Sequence, residues 1–195
     1  MHWGLIREHA AAGHRAGHGH PAPAANSSHR ASSPAPKASR TAAPAPRERA
    51  QPLVPVRATA FGPNGGDNPQ LAHLVLGGGH SPGWHTDWYS TLRFGNLYSG
   101  TGLLLAMGHT VTITGARIEL GGATGAGFQL RVGGTPTLAG LRPVARASDA
   151  GGAVGLRLAR PARGRYVLVW FTRLPADSSG TFRASVRGVT LRGQR

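Results

Sequence analysis

"RYVLVWFTRLP", residues 165–175, is the stretch that decides the fold. From Tyr166 to Phe171 every side chain is apolar or aromatic, and valine recurs at alternate steps. Successive side chains of a strand point to opposite faces, so a run that never alternates in polarity is covered on both sides. These residues therefore form a central strand, and that strand anchors the core.

Working outward, Thr110-Val111-Thr112-Ile113-Thr114 alternates hydroxyl and aliphatic side chains, the pattern of a strand with one face buried and one face wet. Alternation, or enrichment in β-branched and aromatic residues, also marks strands over 56–60, 103–107, 110–120, 127–132, 153–158, 165–172 and 181–191. Turn residues separate them at Gly121-Gly122, Gly133-Gly134, 149–152 and 175–180. Only 69–74 reads as helix, a single turn with Asn68 as its cap and Pro69 in first position. Many short strands with almost no helix predict an all-β fold, an antiparallel β-sandwich of jelly-roll type.

The two parts of the chain differ in composition. Residues 1–52 are mostly Ala, Pro, Ser, His and Arg, with almost nothing apolar larger than Ala after Ile6. Such a segment cannot bury enough surface to offset the entropy of ordering, so it is predicted to be a disordered linker ahead of a single domain over 53–195. Its His14, His18 and His20, with His2, His9 and His29 nearby, lack carboxylate or thiol support, and they read as a solvated spacer; no metal site is expected.

The formal charge of +15 and a pI near 12 favour anionic partners at low salt without bearing on the fold. Lys37 is the one lysine among 22 basic residues, so the folded part has none for a phosphate loop or Schiff base. Its arginines, such as Arg157, Arg160, Arg163 and Arg165, are scattered singly along strands, which reads as a solvated surface more than a nucleic-acid groove. The absence of cysteine excludes disulfides and thiol catalysis. The longest strongly apolar run, 103–107, is too short to cross a bilayer.

Catalytic chemistry finds little support. Gly125-Ala126-Gly127 lies between strands, without the following helix that would hold phosphate. The domain's carboxylates are Asp67, Asp87, Glu119, Asp149 and Asp177, four of them in turn-like surroundings. Ser81, His85 and Asp87 supply the residue types of a hydrolytic triad, with His85 and Asp87 on one face if extended, but no nucleophile elbow accompanies them. The reading is a noncatalytic protein without a cofactor.

Three stretches, AFGPNGGDNP at 60–69, Trp84-x-Thr86-x-x-Tyr89, and residues 165–175, resemble the discoidin-like, galactose-binding-like β-sandwich of actinobacteria, which is similar to coagulation-factor type C domains. The resemblance spans roughly 56–193. It implies the extracytoplasmic end of a membrane protein, of the lipid II flippase-like or kinase-like kind, beyond a Pro/Ala-rich linker, and hence a cell-envelope location. Such domains often carry an Asp-Gly-Asp calcium loop where this chain has Gly77-Gly78-Gly79 followed by His80, so no calcium is expected there. A further polar position of the family is Ala106 here.

The resemblance also bears on GWHTDWYS, residues 83–90, the densest aromatic stretch of the chain. It implies that Trp84 packs under the loops and that Tyr89 points to the core, joining Tyr166 and Trp170 of the central strand as structural residues. Trp88 falls on the face opposite Tyr89 and becomes the candidate aromatic platform, with Phe94 and Tyr98 in the next loop. His85, Asp87, Arg93 and Asn96 are the polar groups at hand for the hydroxyls of a stacked sugar. The expected function is a monomeric binding module recognising glycan or an anionic cell-wall polymer. A scaffold that contacts only protein partners, and a charge-driven nonspecific nucleic-acid binder, are the alternatives; no specific nucleic acid is expected.

Overall fold

A computed structural model of the chain describes residues 49–78 and 82–195. The predicted linker over 1–48 and its histidines lie outside the described residues, as do Gly79, His80 and Ser81.

Among the described residues eight strands follow one another: β1 Gln51–Leu53, β2 Arg57–Phe61, β3 Trp84–His85, β4 Thr101–Leu120, β5 Ala126–Gly133, β6 Leu141–Ala150, β7 Ala153–Arg173 and β8 Ser185–Gln194. All pair antiparallel, in the order β1-β8-β4-β7-β5-β6, with β2 on β4 and β3 on β8. β1 starts at Gln51, just ahead of the expected domain start at 53.

The long strands β4 and β7 each belong to two layers. Residues 101–106 of β4 pair with β2 and with the second half of β7, whereas residues 111–119 pair with the first half of β7 and with β8. Register shifts between Ala106 and Val111 and between Ile113 and Gly115 mark the bend. One layer is thus β2, β4, β7, β5 and β6, the other β1, β8, β4 and β7, and their inner faces share one core. Leu103, Leu105, Val167, Val169, Phe171, Phe128 and Leu130 of the first layer meet Ile113, Ile118, Val186 and Leu191 of the second in that cluster. The result is an antiparallel β-sandwich.

The central strand is covered on both faces, as its sequence requires. Val167, Val169 and Phe171 enter the main core, while Leu168 and Trp170 join Leu104 and Leu141 in a smaller cluster on the other side. Trp170 meets Phe61 edge to face at 5.9 Å. Tyr166, expected in the core, is only half-buried at the margin of this second cluster.

Three other expectations change. The separate strands over 103–107 and 110–120 are one bent β4, and those over 153–158 and 165–172 are one bent β7, because bulges bend the ladder without ending it. β6 was not legible: Arg142, Pro143, Arg146, Ser148 and Asp149 give an edge strand little apolar periodicity. The helical segment is a 3-10 run, Pro69–Gly77, and Asn68 does not cap it; Asn68 is left-handed, at φ 46° and ψ 55°, and its amide turns elsewhere.

Candidate functional site

The loop after β2 and the loop after β3 meet at one end of the sandwich, and Trp84 fastens them. Its side chain is fully buried, stacked on Phe171 at 6.3 Å, and its indole N–H donates to the Asp67 carbonyl at 2.7 Å. Gly83 precedes it at φ 76°, where any Cβ would collide with the Val186 carbonyl of β8, so only glycine lets this loop approach so closely.

Asp67 and Asn68 hold the next residues. The Asp67 carboxylate accepts the Tyr89 hydroxyl at 3.1 and 3.0 Å and the Asp87 backbone N–H at 3.2 Å. The Asn68 amide donates to the His85 carbonyl at 3.1 Å and to Asp87 Oδ1 at 3.0 Å. An asparagine tolerates the left-handed conformation better than most residues, and that conformation aims the amide across the gap. Burial pushes the Asp67 carboxyl above its usual value, and negative Asp87 adds to the push, against the bonds from Asp87 N–H and Tyr89 that favour the ionised form. The Tyr89 hydroxyl is pushed up in turn, by burial first and then by Asp67.

Buried Thr86 secures the floor. Its N–H donates to the Ala184 carbonyl at 2.9 Å, and its hydroxyl accepts the Ala184 N–H at 3.2 Å. Tyr89 exchanges two backbone bonds with Phe182, each 3.0 Å. Trp84, Thr86 and Tyr89 go in, while the neighbours Asp87 and Trp88 both go out, so the strict alternation breaks after Thr86.

Trp88 is 60% exposed. The Arg183 guanidinium carbon lies 4.6 Å from the centre of its ring, and His85 tilts against it at 6.2 Å. Beside the indole opens a cleft of about 430 Å³, whose walls include Asp67, Asp87, Trp88, Tyr89, Leu97 and Tyr98. Arg183 is not among its walls, so the guanidinium braces the indole without filling the cleft.

The residues singled out in the sequence separate into four places. Asp87, Trp88 and Tyr98 line this cleft. Arg93 and Asn96 line a neighbouring groove with Arg173, and Tyr98 is the wall common to both. Phe94 is no platform: it is fully buried, edge to face with Tyr89 at 5.4 Å, because its positive φ of 57° folds the loop back on the core. His85 lies behind Trp88, and its Nδ1 donates to the Thr86 carbonyl at 2.9 Å, so it has no hydrogen to offer Asp87 at that nitrogen. Ser81, the third of the triad types, lies outside the described residues. Tyr89, expected as core alone, is both buried and a cleft wall.

Sequence reasoning missed Asp67, Asn68 and Arg183. The first two sit inside the stretch 60–69 that carries the resemblance, and their signal was an Asp-Asn pair just before Pro69. Arg183 gave no local signal, since it faces Trp88 from far along the chain.

The same sandwich recurs in solved structures. Chitosan-binding module 1 derived from a chitosanase/glucanase of Paenibacillus sp. IK-5 is 16% identical, with 72% of this chain and 96% of that one aligned and a TM-score of 0.52. CBM32 of AlyQ, in complex with 4,5-unsaturated mannuronic acid, is 16% identical over 72% of this chain and 97% of its own, at 0.50. CpGH89CBM32-6 produced by Clostridium perfringens is 10% identical over 70% and 93%, at 0.50. The fold of the described domain is thus the discoidin-like, galactose-binding-like β-sandwich. No family model matches the chain, and no curated protein sequence does. Among the described residues, no helix is long and apolar enough to cross a membrane.

Proposed function

We propose that the domain is a noncatalytic glycan-binding module that takes an uncharged, hydroxyl-rich sugar in the cleft beside Trp88. The observation that carries this reading is the exposed indole on the wall of a cleft that also presents two carboxylates, Asp67 and Asp87, and the Tyr98 ring. A pyranose offers one apolar face to stack on a ring and hydroxyl donors for carboxylate oxygens, so the two kinds of wall match the two sides of one ligand. Its likeness in fold to carbohydrate-binding modules supports the reading. An anionic polymer suits the Trp88 cleft poorly, because the carboxylates there would repel it despite the basic charge of the whole.

The location we propose is the cell envelope, supported by the resemblance to extracytoplasmic actinobacterial domains. Immunodetection in wall and membrane fractions is the expected result; recovery in the cytoplasm alone would refute it.

A glycan array probed with the full chain and with Trp88→Ala tests the binding. Trp88 is exposed, so its loss leaves the core intact, and a neutral-glycan signal should fall about tenfold or more, the loss of one good stacking contact. That signal should barely change between low and physiological salt. Absence of any neutral ligand, or an unchanged signal in the variant, would defeat the proposal. A protein-only scaffold would give the first of these results.

A further inference from the structure

The second layer carries its own charged feature, on the face turned away from the core. In the ladder of β7, β4 and β8, Arg157 stands opposite Gly115 and Gly115 stands opposite Arg192; two residues along, Gly155 stands opposite Arg117 and Arg117 opposite Thr190. Directly paired residues share a face, so three guanidinium side chains border two positions that carry no side chain at all. Arg117, Arg157, Arg192 and Thr190 are exposed. They line a groove of about 890 Å³ together with Thr114, Gly115 and Gly155. Arg157 and Arg192 lie two strand spacings apart, about 10 Å between backbones, across the notch at Gly115.

The charge of this groove is largely uncompensated. Among the described residues the single ion pair is Arg117 with Glu119, at 3.4 Å, both partly exposed. Arg157 and Arg192 have no carboxylate partner among the described residues.

We infer that this outer face is a binding surface for one strand of an acidic polysaccharide, separate from the Trp88 cleft and independent of whether that cleft takes sugar. Guanidinium forks pair two-pronged with carboxylate or ester oxygens, which accounts for the arginines. Threonine hydroxyls between them suit the polymer's own hydroxyls. A nucleic-acid duplex is too wide for a notch about 10 Å across. A single nucleic-acid strand would find no aromatic ring in the lining on which to stack a base. None of the exposed large apolar side chains, Val54, Val56, Trp88 and Leu97, lines the groove, and its leucines, Leu156 and Leu158, are half-buried and buried against the core, so little apolar surface projects for a bilayer to accept.

The test is binding of the full chain to polygalacturonate at physiological salt, followed by isothermal titration, with three variants. Arg157→Gln with Arg192→Gln should weaken binding about tenfold or more, the scale of two lost charge-assisted contacts. Gly155→Glu should do the same by placing a carboxylate on the groove floor; the site is open, since a Cβ there meets nothing within 4 Å. Arg142→Gln with Arg146→Gln removes the same charge from exposed positions of β6, in the other layer, and should change affinity less than twofold. Circular dichroism spectra and melting temperatures close to those of the wild-type chain would show that the variants are folded. Equal losses in both arginine pairs would mean diffuse charge and would overturn the assignment. So would absence of binding to polygalacturonate, or groove-dependent binding of duplex DNA or phosphatidylglycerol vesicles at least as tight.

Discussion

The cleft beside Trp88 and the outer face of β7, β4 and β8 belong to one basic domain, yet they carry opposite local charge. The cleft presents Asp67 and Asp87 with an exposed ring, whereas the sheet face presents Arg117, Arg157 and Arg192 with no ring. Net charge acts at long range and is the same for both; recognition acts at contact distance and is set by which side chains share a few ångströms. A surplus of arginine therefore says little about where a ligand sits or what it is. The regions also differ in construction. The cleft rests on loops fixed by a buried polar network, and the sheet face on ladder register alone.

Loss of the tryptophan beneath the cleft should have the largest effect. Trp84 is fully buried, stacks on Phe171, holds the Asp67 carbonyl and pairs with Val186 of β8. Trp84→Ala should cost about 3–5 kcal/mol and lower Tm by about 10–20 °C, erasing sugar binding along with it. Calorimetry decides this, and a fall of only a few degrees would mean that the loops stand without it.

An intermediate effect separates the cleft from another carboxylate by pH. The folded value of Asp67 is raised, so its contribution to stability is fully present below the usual 3.8 and is lost as pH rises through the higher folded value. The melting-temperature advantage of the wild-type chain over Asp67→Asn should therefore be greatest in acid and shrink toward neutrality. Asp177 behaves oppositely: hydroxyl bonds from Thr181 and Ser179 hold it down at about 2, so its contribution is present above 3.8 and is lost as pH falls toward 2. Thermal melts from pH 2 to 7 on Asp67→Asn and Asp177→Asn check the pair. Two curves of the same slope would break the distinction between a buried carboxyl and a solvated turn.

The smallest change sharpens the picture of Trp88. Arg183→Ala removes a half-buried partner whose contact with the ring is worth about 1 kcal/mol, so stability should move little. Sugar affinity should fall two- to fivefold as the indole loses its brace, while binding of polygalacturonate stays within twofold. A reversed pattern would make Arg183 part of a continuous basic surface and dissolve the contrast.

Much of this was legible in residues. Tyr166 to Phe171 identified a strand covered on both faces because period-2 patterning is a local property; Trp88 does face away from its neighbour Tyr89, but the alternation that runs from Trp84 to Thr86 breaks before it. Phe94 defeated that rule, since its backbone leaves the extended region and no residue pattern near it announces the turn. The strand over 141–150 escaped notice because an edge strand needs little apolar surface. Asp67 looked like one more turn aspartate; only its partners, about 20 positions on, make it the support of the cleft.

What the sequence determined by itself is the class of fold and its central strand, because burial periodicity is written in neighbouring residues; the burial of Trp84 was implied by the resemblance. What the tertiary structure alone decided is company. Arg117, Arg157 and Arg192 look solitary along the chain and become one face only through the register of three strands, which long-range pairing and two bulges set. Asp67 and Asp87 likewise acquire a common cleft only when Trp84 draws their loops together, since contact between distant residues is a property of the packed whole.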